Sequence, residues 1–225
     1  MMKIFGTRAA VAAAGAMVLV NSVILVRGML GLSEVALAWT MFAFGFGSMI
    51  AAFVLPRVLD RMADRPVMLA GAGVMVAVLL ALAAAMLALG LTWPMLMVAW
   101  LAVGFGYSAV LTPSSRLLRR SAHAEDRPAV FAAQFALSHA CWLLCYPLAG
   151  WLMTRFGAVT ALLVLALVAA LGIIIALRLW PASDTAEVEH THDNLLPDHP
   201  HLQGHRTHSH ALVIDDQHPK WGTSF

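Results

Sequence analysis

Residues 35–66 read VALAWTMFAFGFGSMIAAFVLPRVLDRMADRP. The first part, Val35 to Leu55, holds no charged residue. The second, Pro56 to Pro66, holds Arg57, Arg61 and Arg65. A helix rising 1.5 Å per residue needs about 20 apolar residues to cross a hydrocarbon core of roughly 30 Å. The stretch therefore reads as a membrane span ending in a basic loop. Five more segments qualify: Ala9 to Val26, Val67 to Leu89, Pro94 to Thr112, Ala129 to Met153 and Val159 to Trp180. None of the six contains Asp, Glu or Lys. Their one Arg, Arg178, lies at the end of the last, where its head can snorkel to the interface. Backbone groups find no water in lipid, so such segments are helical. The alternating ten-residue segments of a membrane β-barrel are absent.

The expectation is an all-α membrane protein with six transmembrane helices over residues 1–180 and a separate tail over 181–225. Composition agrees. Of 225 residues, 61% are hydrophobic and 12% charged, with a mean hydropathy of +0.81. A water-soluble chain of this size cannot cover its surface with so little polar material. Disorder, a coiled coil and a nucleic-acid partner are excluded on the same ground. The first segment follows Lys3 and Arg8 as a signal peptide would, but its apolar run is too long, and Arg27 follows without an A-x-A site. If six spans alternate, twelve of the fourteen Lys and Arg residues fall on one side, and only Arg27 and Arg155 on the other. The positive-inside rule then puts both termini in the cytoplasm.

Polar residues mark some spans and not others. The first carries Asn21 and Ser22, the second Thr40 and Ser48, the fourth Tyr107, Ser108 and Thr112, and the fifth Gln134, Ser138, His139 and Tyr146. The third has none, and the sixth only Thr160 near its start. Polar groups in a membrane are costly unless they face protein or a watery cavity. Helices one, two, four and five are thus expected to line a substrate path, and three and six to face lipid, in a 3+3 arrangement. On the fifth, Gln134, Ser138, Cys141 and Cys145 form one stripe and His139, Trp142 and Tyr146 a second. For the first stripe, helix packing is an equal alternative. For His139 the expectation leans to function, since imidazole exchanges protons near neutral pH. Cys141 and Cys145 read as small buried hydrophobes. The glycine pairs 45/47, 71/73 and 104/106 suit close helix packing or a flexing point, since no strand precedes them as a nucleotide loop requires. Ser108 and His139 lack a third partner and an oxyanion motif, so no enzyme is expected.

The loop Pro56-Arg57-Val58-Leu59-Asp60-Arg61-Met62-Ala63-Asp64-Arg65 resembles the signature G-x-L-x-D-R-x-G-R-[RK] of the major facilitator superfamily, with Asp60, Arg61 and Arg65 matching. Pro56, Val58, Ala63 and Asp64 depart from it, as in the loop between helices eight and nine of that family. The stretches Leu111 to Arg116, Phe131 to Phe135 and Tyr146 to Trp151 are also similar to bacterial permeases of the superfamily. The resemblance implies the C-terminal six-helix half of a secondary active efflux permease in the bacterial inner membrane, moving a small molecule or ion by alternating access. It implies a conformational latch at Asp60, Arg61 and Arg65, against the alternative of a solvated loop that only sets topology. It also implies a second six-helix half, from a separate chain or a homodimer. No cofactor is required.

After Trp180 the chain turns polar and carries eight of its ten histidines: His190, His192, His199, His201, His205, His208, His210 and His218. Three H-x-H pairs occur, and neutral imidazoles favour Zn, Ni and Co. The expectation is metal binding by a tail without fixed structure when metal-free. A solvated, pH-responsive tail is the alternative. A membrane-anchored divalent-metal-binding protein or inactive transporter fragment without transport stands as the second reading of the whole chain.

Overall fold

A computed structural model describes residues 2–180, 187–191, 202, 205, 207–211, 213–215 and 218. Five helices dominate: α1 Met2–Val23, continuing as a π-helical stretch Ile24–Met29; α2 Glu34–Leu59; α3 Asp64–Leu89; α4 Trp93–Arg120; and α5 Arg127–Leu179. Two strands, β1 Glu187–Thr191 and β2 Thr207–Ala211, pair antiparallel in the tail. His192, His199 and His201 lie outside the described residues.

Five helices are long and apolar enough to cross a membrane, where the sequence suggests six spans. The difference lies in α5, whose 53 residues are broken at Gly157 (φ 83°, ψ 176°). That φ is open to glycine and strained for other residues. The chain reverses there. Along the first limb, Gly15 meets Trp142 and Asn21 bonds Ala149, so this limb runs parallel to α1. Along the second, Gly6 packs between Gly172 and Ala176, and Gly172 packs between Gly6 and Ala10, so that limb runs antiparallel to α1. At 1.5 Å per residue the limbs are about 45 Å and 33 Å long. Pro147 stays within helical backbone.

Gly90 ends α3 in the same way (φ 77°), its N–H donating to Met86 O at 3.1 Å. Ser33 caps α2 by accepting the Ala36 N–H at 3.3 Å.

The central helix is α1, with 72% of its span buried, against 22% for α2 and 28% for α3. Its buried face is mostly small: Ala10, Ala12, Ala13, Ala14 and Ala16. Small residues let helices approach where lipid supplies no hydrophobic drive. Glycine does this most sharply between α2 and α4. A Cβ on Gly47 would lie 1.9 Å from Leu101 O, and one on Gly104 would lie 1.9 Å from Phe44 O. Gly71 and Gly106 make the same kind of contact between α3 and α4, whereas Gly45 and Gly73 face open space. The outer faces are apolar: Val35, Trp39, Phe42, Phe46, Met49 and Phe53 form an exposed row along α2. Water would not tolerate such a surface, and a bilayer would.

Candidate functional site: a cleft beside the central helix and a polar lock at the bundle end

A cleft of about 720 Å³ opens between α1, α4 and the first limb of α5. Its apolar walls include Val11, Leu19, Leu111, Leu118, Phe131 and Trp142, and its polar lining is Arg8, Tyr107, Ser115, Gln134, Ser138, His139 and Tyr146. Five of the ten expected path residues meet here: Tyr107, Gln134, Ser138, His139 and Tyr146. Tyr107 comes from α4 and the other four from both stripes of the fifth span, while Cys141 and Cys145 turn into the core. Aromatic rings brace the wall, with Phe44 against Tyr107 (5.5 Å between centroids) and Trp142 against Tyr146 (4.9 Å). His139 is exposed at the rim; its Nδ1 lies 2.9 Å from Phe135 O. A carbonyl only accepts, so Nδ1 donates, and in the neutral ring Nε2 is left as the acceptor.

Four other expected path residues bind helices together. Asn21 Nδ2 donates to Ala149 O at 3.2 Å. Ser22 donates to Val18 O and accepts from Trp100 Nε1 at 2.7 Å. Thr40 donates to Ala36 O at 2.7 Å and accepts from Trp93 Nε1 at 2.9 Å. Ser48 donates to Gly104 O at 2.9 Å. Ser108 is half-buried and does not line the cleft. No residue of α2, α3 or the second limb of α5 lines it either, so α2 supports the cleft through α4.

In the sequence Arg8 reads as a charge flanking the first apolar run. Because α1 begins at Met2, Arg8 sits two turns inside the helix and reaches the cleft. Its Nε and both side-chain polar atoms of Gln134, which is 3% exposed, are buried without a protein hydrogen-bond partner among the described residues.

The second polar group closes one end of the bundle. Asp64, in the first turn of α3, is 1% exposed. Its Oδ1 accepts from Arg116 Nε at 2.9 Å and lies 2.7 Å from Arg116 Nη2; its Oδ2 lies 2.9 Å from Arg120 Nη2. The carboxylate also sits where the helix dipole favours negative charge. Arg116 Nη1 reaches Leu59 O at 3.4 Å, and Arg65 Nε donates to Trp180 O at 2.7 Å. The ends of all five helices except α1 are thereby tied together. Of the expected latch residues, Arg65 takes part, Asp60 is exposed at the C-cap of α2, and Arg61 is exposed beside it. Asp64 holds the buried carboxylate position.

In the tail, His190, His210 and His218 bring one potential ligand atom each to within 4.8 Å of one another. His205 and His208 lie nearby in the chain, with His208 Nδ1 3.3 Å from His205 O.

No curated protein matches the chain. The family model of the Major Facilitator Superfamily matches residues 4–209, nearly the whole length. Apolar helices sufficient to cross a bilayer, a polar-lined cleft against the central helix and this match agree: the chain belongs to the Major Facilitator Superfamily, a multi-pass membrane transporter of small solutes and not an enzyme.

Proposed function

We propose that the chain forms a six-helix half of a secondary active permease of the efflux type, with α5 crossing twice and both termini in the cytoplasm of a bacterial cell. Its cleft is one wall of a central cavity, completed by a second six-helix half in a separate chain or a second copy. Alternating access then follows from rocking of the halves around the site. The carrying observation is the pair Arg8 and Gln134. Buried polar groups are nearly always hydrogen-bonded, and in lipid an unmet one costs several kcal/mol. A guanidinium and an amide presented together on apolar walls suit a small organic anion, with the carboxylate or similar group on Arg8.

The test is stabilisation of the purified chain by a panel of small carboxylates, sulfonates and organic cations, followed by flux in proteoliposomes with and without a co-reconstituted N-terminal half. Anions are expected to raise the melting temperature of the wild type and not of Arg8→Gln or Gln134→Leu. Stabilisation by cations alone, or equal stabilisation of the variants, refutes the assignment. The second reading, a membrane-anchored metal-binding protein without transport, draws on the histidine cluster. Metal binding with no flux in either arrangement selects it.

A further inference from the structure

We infer that His190, His210 and His218 form a single divalent transition-metal site whose occupancy fastens the tail to the end of α4. The site stands independently of the transport reading. Its geometry begins with strand register. His190 lies opposite His208, and side chains two apart in a strand share a face, so the pair His208 and His210 lies on the face of His190. The H-x-H spacing thus does in a strand what a longer spacing does in a helix. The ring of His190 lies 4.6 Å from that of His210 and 4.9 Å from that of His218. His190 and His218 are each 1% exposed.

The distances suit a metal. Tetrahedral zinc with bonds of about 2.0–2.1 Å to nitrogen sets its ligands roughly 3.3 Å apart. The Nε2 atoms of His190 and His218 are 3.1 Å apart, and all three ligand atoms lie within 4.8 Å, so small ring rotations close the set. Asp215 Oδ1 lies 2.9 Å from His218 Nδ1. A carboxylate behind a ligating imidazole fixes its tautomer and directs Nε2 to the ion. Three neutral imidazoles, one of them backed by the Asp215 carboxylate, favour Zn, Ni or Co over Mg or Ca.

Between His210 and His218 lies Ile214. Its N–H donates to Arg120 O at 2.9 Å, meeting a carbonyl that the end of α4 leaves without a helical partner. Its side chain is 9% exposed and enters a surface pocket with Ala122, Val130 and Ala133. A two-stranded ribbon alone is marginal in water. An ion bonded to His210 and His218, which flank Ile214 in sequence, holds Ile214 against the end of α4. Arg120, so capped, is also the residue whose guanidinium lies on Asp64. Metal occupancy therefore acts on the lock at the bundle end.

The experiment titrates the full chain in detergent micelles with Zn(II), and with Co(II) for its visible absorption. Wild type is expected to take up one tight equivalent with the intense bands of tetrahedral cobalt. His190→Ala/His210→Ala/His218→Ala should lose that equivalent, and Asp215→Asn should weaken it about 10- to 100-fold. His192→Ala/His199→Ala/His201→Ala/His205→Ala should retain it. Zn(II) should also slow hydrogen exchange at the Ile214 amide in wild type and not in the triple variant. Retention of the tight equivalent by the triple variant, or an equal loss in both multiple variants, overturns the site. Unchanged Ile214 exchange on metal binding overturns the fastening.

Discussion

Replacing Asp64 by Asn tests the lock at the bundle end. The side chain keeps its shape and one acceptor, but loses the charge that faces Arg116 at 2.7 Å and Arg120 at 2.9 Å. Removing one partner of a fully buried ion pair costs about 3–5 kcal/mol. Here Asp64 is 1% exposed and Arg120 14%, but Arg116 is 45% exposed, so part of its charge stays with water. The expected loss is therefore about 2–3 kcal/mol. Asp60→Asn provides the contrast: that carboxylate is exposed at a helix end, and such changes stay within about 0.5 kcal/mol. Reversible unfolding in mixed dodecylmaltoside and dodecylsulfate micelles, followed by circular dichroism, reads both. A double-mutant cycle with Arg120→Gln should recover about 1 kcal/mol or more of coupling, as groups in one network do. If Asp60→Asn proves the more damaging, or the cycle shows no coupling, the lock is misassigned.

Other outcomes follow from the packing. Gly47→Ala places a carbon 1.9 Å from Leu101 O, where contact requires about 3.3 Å, so α2 and α4 must part and the Ser48 bond to Gly104 O must lengthen. The same unfolding assay should show a loss of about 1–3 kcal/mol. Gly45→Ala meets nothing within 4 Å and should gain up to about 1 kcal/mol through helix propensity. Trp100→Phe removes the donor to Ser22 and should cost about 0.6–1.7 kcal/mol, as interhelical bonds in membranes do. Arg65→Gln should loosen the end of α5, visible as faster hydrogen exchange near Trp180.

The spans were legible because lipid imposes one rule on every residue of a segment, and the breaks between them were legible because charge cannot follow. The reversal at Gly157 falls between the fifth and sixth expected spans; Thr154, Arg155 and Phe156 separate the two apolar runs by little, and the φ of one glycine turns the helix. The cleft was half legible. Tyr107, Gln134, Ser138, His139 and Tyr146 stand out as polar groups at membrane depth, but so do Asn21, Ser22, Thr40 and Ser48, and residue type does not reveal whether a partner waits across the helix pair. Asp64 was hidden by the resemblance itself, which draws attention to the matching Asp60. The signal that separates them is position: Asp64 opens a helix, facing the two arginines i and i+4 at the end of α4, whereas Asp60 follows the end of one.

Membrane depth makes subtraction informative. Each polar side chain buried among helices costs free energy unless something meets it, so assigning partners leaves a remainder with meaning. Ser22, Thr40 and Ser48 are met by Trp100, Trp93 and Gly104 O, and Asn21 by Ala149 O through its amide nitrogen. Asp64 is met by two arginines. Among the described residues, Asn21 Oδ1 is left unmet between α1 and α5, and in the cleft Arg8 Nε and the whole amide of Gln134 are left unmet together. Packing alone does not require either: an Ala at 8 or a Leu at 134 would suit a lipid-embedded bundle better. Both stand beside a cleft that Tyr107 and Ser138 also line, and the solute binding proposed above draws on these unmet groups. The same reasoning sets the role of the central helix. By lending small residues to both limbs of α5 and Arg8 to the cleft, α1 joins the packing of the bundle to the lining of the cleft.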